Sequence, residues 1–297
     1  MKHFRFLAAI LMAVAWGQMA WADSLATDGL IYYTDDAGIT YECDANTAMA
    51  QIVDIPDTRT TIVPLENLTA SDGYIYYVRG FSDQLFSTAY GGHTTTSDNW
   101  QKVILPPNFT INLSFLSECQ NLESVEFSSQ SLMVELPGGC LRDNPKLSHV
   151  VLPPLLSSIS RGCFYNCSSL TTITLPDAVL TIEENAFANS GLTTLNTNKV
   201  TAVGDAAFMN TSLVSIQMPE VTTIGVGAFN GSTIGSIQIP KVTKIDDYAF
   251  EGLANSTFEI PSQVTEIGEH AFANSKLTVL NAPNLVSIGR SAFSNSQ

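Results

Sequence analysis

The chain has 297 residues, a formal net charge of −15, 45% hydrophobic residues and only 14% charged ones. That apolar content excludes a disordered chain. An acidic balance with 13 Lys and Arg among 297 residues excludes the basic stripe that nucleic acid requires.

Residues 1–22 read as a secretory signal peptide. Lys2, His3 and Arg5 give a basic start, Phe6 to Trp16 is apolar, and Ala20-Trp21-Ala22 is a small-x-small site that places the cut after Ala22. The apolar run is too short to span a membrane, and no second run of membrane length follows.

Residues 23–98 read as a small β-rich N-terminal cap. Leu30 to Tyr33 and Ile39 to Tyr41 flank an Asp35-Asp36-Ala37-Gly38 turn, the pattern of a hairpin. Further strands are expected at Ile52–Pro56, Thr61–Pro64 and Tyr74–Val78. A cap is needed because a terminal repeat would expose its core face. The aromatic residues Tyr32, Tyr33, Tyr74, Tyr76, Tyr77 and Trp100 offer two readings: alternating strand residues with half in the core, or a sugar-stacking platform. Ser87 to Trp100, with Gly91-Gly92 and His93, reads as a loop.

The remainder, residues 99–297, is repetitive. Two degenerate units start at Val103-Ile104-Leu105-Pro106 and at Leu122, and end near Cys119 and Asn144. Seven regular units follow, marked by Phe164, Phe187, Phe208, Phe229, Phe250, Phe272 and Phe293. Each Phe follows Cys163 or one of Ala186, Ala207, Ala228, Ala249, Ala271 and Ala292. Five residues before each Phe stands a β-branched aliphatic, from Ile159 to Ile288, and three before that another aliphatic, from Leu156 to Leu285. The unit reads L-x-x-I-x-L-P-x-x-V-x-x-I-x-x-x-A-F-x-N-S. A period of this length signals a solenoid whose units cannot fold singly.

Within a unit, the L-x-x-I-x-L phrase alternates as a half-buried strand does, and the proline stops it. The A-F pair is expected in a short helical turn. Two residues after each Phe comes Asn or Gly (Asn166, Asn189, Asn210, Gly231, Gly252, Asn274, Asn295), residue types that tolerate a left-handed backbone.

This pattern resembles the BspA-like, or Treponema-type, leucine-rich repeats of bacterial surface proteins, over about the C-terminal two thirds of the chain. The resemblance implies a β-rich solenoid: a leucine-rich repeat array of about nine repeats of 21–25 residues. It also implies adhesion to host matrix proteins or to other cells.

No catalytic set, metal site or cofactor motif is found. His93, His149 and His270 are far apart in unrelated repeat contexts, and no G-x-S-x-G, P-loop or EF-hand spacing occurs. Asp35-Asp36 reads as turn chemistry, and Glu183-Glu184 and Asp246-Asp247 as solvated acids beside the A-F turn. Five cysteines, Cys43, Cys119, Cys140, Cys163 and Cys167, argue against a closed disulfide framework and read as buried small residues.

The candidate partner-binding face is the outward column of the strand phrase: Thr172, Thr174, Thr194, Asn196, Ser215, Gln217, Ser236, Gln238, Thr257, Glu259 and Asn281. A second threonine column is expected from Thr181, Thr201, Thr222, Thr243 and Thr265. The chain stops just after the last Phe, so Ile288 and Phe293 are expected to form an open edge, to be continued by a longer chain or paired with another. The expected function is that of a secreted or surface-exposed, non-enzymatic protein that binds proteins. Host extracellular-matrix or cell-surface proteins are the expected partners, and binding of glycan through the N-terminal aromatics is the alternative.

Overall fold

The structure, a computed structural model, describes residues 31–44, 47–55, 61–62, 67–69, 75–81, 99–107, 109, 116–197, 199–254, 260–277 and 281–296. Of residues 62, 67–69, 76, 77, 80 and 81 only the backbone is described. The signal-like segment 1–22, Tyr74, His93, Thr257 and Glu259 lie outside the described residues.

Two compact units divide at residue 112. The first contains β1 (Ile31–Thr34), β2 (Thr40–Asp44), β3 (Met49–Asp54), β4 (Thr61–Ile62), β5 (Asn67–Thr69), β6 (Ile75–Phe81) and β7 (Lys102–Leu105). Five of these form one sheet in the order β1-β2-β3-β6-β5, while β4 and β7 pair in parallel. The expected hairpin is β1 and β2, with Thr34 opposite Thr40. Its turn is set by Asp35. One carboxylate oxygen accepts from the amides of Ala37 (2.8 Å) and Ile39 (2.9 Å), and the other accepts from the Tyr41 hydroxyl (3.0 Å). Side chains then alternate, so Ile31, Tyr33, Tyr41 and Cys43 are buried.

The second unit is a stack of parallel ladders. Its strands are β8 (Ser124–Phe127), β9 (His149–Val151), β10 (Ser158–Ile159), β11 (Thr172–Ile173), β12 (Thr181–Ile182), β13 (Thr194–Asn196) and β14 (Ala202–Val203). After these come β15 (Ser215–Gln217), β16 (Thr223–Ile224), β17 (Ser236–Gln238), β18 (Lys244–Ile245), β19 (Glu266–Ile267) and β20 (Ser287–Ile288). The strand phrase gives the sheet β11-β13-β15-β17, and the V-x-x-I pair gives β10-β12-β14-β16 and β18-β19-β20. Each strand thus pairs with its counterpart one repeat away. A solenoid follows, because the isolated repeat has no partner for either strand.

Between the ladders runs the A-F segment. The phenylalanines from Phe164 to Phe272 are fully buried, as are the small residues before them. Their rings stack in one column with centroids 5.2 to 5.6 Å apart, and the column reaches Phe293. Small Cys163, Ala186, Ala207, Ala228, Ala249 and Ala271 let adjacent backbones close to hydrogen-bond distance: the Phe187 amide donates to Ala207 carbonyl oxygen at 2.9 Å.

The expected helical turn is absent. Among the described residues there is no α-helix, and the A-F segment is a run of tight turns. The cause is backbone handedness. The Asn/Gly column after Phe is left-handed in all seven repeats, as its residue types imply, with φ from 56° at Asn189 to 73° at Gly252. A second left-handed column lies two residues before Phe: Gly162, Asn185, Ala206, Gly227, Tyr248, His270 and Ser291. Left-handed residues on both sides break any helix. Peptide planes then alternate, so one amide closes a turn (Ala188 to Asn185 carbonyl, 3.1 Å) and the next reaches the following repeat (Asn189 to Met209 carbonyl, 2.8 Å).

Candidate functional site

The strand phrase presents its polar residues outward because Ile173, Leu195 and Ile216 point into the core. Thr172, Thr174, Thr194, Asn196, Ser215, Gln217, Ser236 and Gln238 are all exposed, as is Asn281. The parallel register brings them into rows. Thr172 lies opposite Thr194, Thr194 opposite Ser215, and Ser215 opposite Ser236. Asn196 lies opposite Gln217, and Gln217 opposite Gln238. The result is a face of hydroxyls and amides that is uncharged across four repeats. The neighbouring pair β8 and β9 adds a charged patch, with Ser124 opposite His149 and Glu126 opposite Val151. His149 is 60% exposed, its Nε2 4.0 Å from Glu126 Oε1.

The second threonine column differs from expectation at one position. Thr201 and Thr222 follow each other: each amide donates to the carbonyl one repeat earlier, and each hydroxyl donates to the same oxygen. Leu180, not Thr181, precedes them. The Thr201 hydroxyl donates to Leu180 carbonyl at 3.1 Å, and Thr181 pairs with Ala202. At Thr201, Thr222 and Thr265 the column is therefore a backbone-bonding device whose hydroxyls are committed to carbonyls of the preceding repeat.

The acids beside the A-F turn have structural partners. Asp205 Oδ1 accepts from the Val226 amide (2.8 Å), Asp247 Oδ1 from the Glu269 amide (2.6 Å) and Glu183 Oε2 from the Arg161 amide (3.0 Å). They tie one repeat to the next, which for Glu183 and Asp247 is more than the solvated role expected of them. No group of His, Cys, Asp and Glu among the described residues could hold a metal ion.

The five cysteines are buried, and none is in a disulfide. Cys140 and Cys163 occupy the small-residue column in successive repeats, their sulfurs 3.8 Å apart. Burial pushes the Cys167 thiol up to about 12, and the contact with Cys140, together with burial, pushes Cys163 well up. Neither is a nucleophile at neutral pH. In the N-terminal unit Tyr33 and Trp100 are buried and so unavailable as a sugar platform, and burial raises the Tyr33 hydroxyl.

One surface feature has no signal in residue type. Tyr248 and His270 both sit in the left-handed column before Phe, with φ of 58° and 54°. Their rings lie parallel, 5.2 Å apart, and Tyr248 is 37% exposed. A bulky residue at such a φ costs on the order of 1–3 kcal/mol. Only the inter-repeat register, 22 residues here, could have revealed the pair.

Residues 94–211 and 201–297 match the model of the BspA type leucine rich repeat region, in 6 copies. Among solved structures, a leucine rich cell surface protein from Faecalibacterium prausnitzii is 20% identical, over 92% of this chain and 100% of that one, with a TM-score of 0.42. The pneumococcal vaccine antigen PcpA is 15% identical, over 90% of this chain and 86% of that one, with a TM-score of 0.50. A leucine rich repeat protein from T. pallidum is 16% identical over 88% of both chains, with a TM-score of 0.28. A search of curated proteins finds no match. The likeness to PcpA is one of fold, and the family match covers more than half of the sequence. With its stacked ladders and its repeated A-F turn, the chain belongs to the BspA-type leucine-rich repeat family.

Proposed function

We propose that this is an exported, surface-exposed binding module that holds a protein partner on the hydroxyl and amide face of β11, β13, β15 and β17. The observation that carries this is the register of Thr194, Ser215 and Ser236 beside Asn196, Gln217 and Gln238. Rigid parallel pairing holds these groups in fixed rows, so a partner meets them with little further ordering cost. Repeat proteins use such extended faces. The face has no charge of its own within the four repeats, so its contacts are neutral hydrogen bonds and are little weakened by salt. Export rests on residues 1–22, and adhesion to matrix or cell-surface proteins is the function that suits an exported face of this kind. No step of chemistry is assigned to it.

The test is binding of the purified chain to immobilised extracellular-matrix proteins and mucosal glycans, at about 0.15 M and 1 M salt. The expected result is binding to at least one protein with less than about a threefold loss at high salt. Binding confined to glycans, or abolished by salt, contradicts the assignment.

A further inference from the structure

We infer that Tyr248 and His270 form a second binding site, separate from the strand face, that takes a neutral sugar ring. The left-handed column before Phe is otherwise filled by Gly, Asn, Ala and Ser. Two large rings in that column oppose the local backbone preference. They are half-exposed or exposed, so they fill no core. The fold therefore gains little from them, and a strained, exposed aromatic pair points to use of the rings themselves.

The geometry selects the ligand. His270 covers one face of Tyr248, and on the other side the preceding repeat supplies Gly227. A carbon built onto Gly227 would meet nothing nearer than Asn230 Cβ at 3.8 Å, so the stack ends at Tyr248 in a step where the preceding repeat has room for a side chain but carries none. A flat C–H surface fits such a step, as the next ring in the stack would. A cation is better held in a cage of several rings, which two mutually stacked rings do not make. Carboxylates lie beside the ring pair. Glu269 Oε1 lies 3.7 Å from His270 Nε2, and Asp247 precedes Tyr248. Both can accept sugar hydroxyls, and Asp247 is already fixed by its bond from the Glu269 amide.

The test uses the full chain, with cellohexaose and chitohexaose as probes in titration calorimetry. Two variants separate binding from folding. Tyr248→Gly with His270→Gly removes both rings and relaxes both left-handed residues. Gly227→Asn keeps the rings and fills the step with a residue that accepts positive φ. The expected result is binding of at least one oligosaccharide by the natural chain and at least a tenfold loss in each variant. The thermal midpoint of the double variant is unchanged or raised. The proposal is overturned if neither oligosaccharide binds or if either variant binds as the natural chain does. It is also overturned if the midpoint of the double variant falls, which would make the rings a structural stack, or if choline binds in place of sugar. Substitutions on the strand face leave this binding unchanged, so failure of one site is distinguishable from failure of the other.

Discussion

Replacing Phe229 by alanine lowers the unfolding free energy by about 3–5 kcal/mol, read from the urea midpoint by circular dichroism. The ring is fully buried and stacked on both sides, 5.2 Å from Phe208 and 5.3 Å from Phe250. Truncation removes the transfer free energy of the ring and leaves a cavity. That cavity resists collapse, because each neighbouring backbone is fixed by hydrogen bonds such as Phe229 amide to Ala249 carbonyl (2.9 Å). Two ring contacts, each worth about 0.5–1.5 kcal/mol, are lost as well. With typical domain stabilities of about 5–15 kcal/mol, this is a large fraction of the whole. The same change at Phe293 costs less, since that ring is only half-buried and, among the described residues, stacks on one ring, Phe272 at 5.5 Å. A loss below about 1 kcal/mol at Phe229 would show that the column does not hold the repeats together.

Asn144→Leu is the second large effect. Asn144 is fully buried, in the position that later repeats give to Cys167, Ser190, Thr211, Ser232, Leu253 and Ser275. Its Oδ1 accepts from the Cys119 amide at 2.8 Å, and its Nδ2 donates to the carbonyls of Leu116 (2.6 Å) and Leu141 (2.9 Å). The amide side chain thus spans two repeats where the array is least regular. Leucine has similar volume and no polar atoms, so the Cys119 amide and the two carbonyls each lose a partner. The Leu141 carbonyl keeps the Cys167 thiol as a donor at 3.1 Å, so the cost falls mainly on the Cys119 amide and the Leu116 carbonyl. At about 1–3 kcal/mol for each buried group left short of a bond, the loss is about 2 kcal/mol or more. Hydrogen exchange at the Cys119 amide gives the local readout, and its protection falls by more than the global stability does. Unchanged protection would mean that the side chain does not hold that amide.

Much of this structure was legible in residue spacing. Phe164 to Phe293 marked the column, and the Asn and Gly residues after Phe marked a left-handed position because those types suit it. Period-two alternation identified the exposed face from Thr172 to Gln238. Where type and conformation separate, spacing alone was insufficient. Ala206, Tyr248 and His270 carry no sign of a positive φ, so the second left-handed column was hidden, and with it the reason that A-F makes turns and not a helical turn. Thr181 was aligned with Thr201 by residue type, although the inter-repeat hydrogen bonds put Leu180 there. Asn144 could be noticed as a residue, but its three bonds depend on contacts 25 to 28 residues away as well as local ones.

The most direct test of the central claim compares two variants for binding to the protein ligand. One carries Ser215→Lys, Gln217→Glu, Ser236→Lys and Gln238→Glu on the strand face. The other carries Thr201→Lys and Thr222→Lys on the second ladder, with a matching thermal midpoint required of both. If the strand face holds the partner, the first variant loses at least about tenfold in affinity, roughly 1.4 kcal/mol, and the second binds as the natural chain does. Full binding by the first variant, or loss confined to the second, would contradict the account.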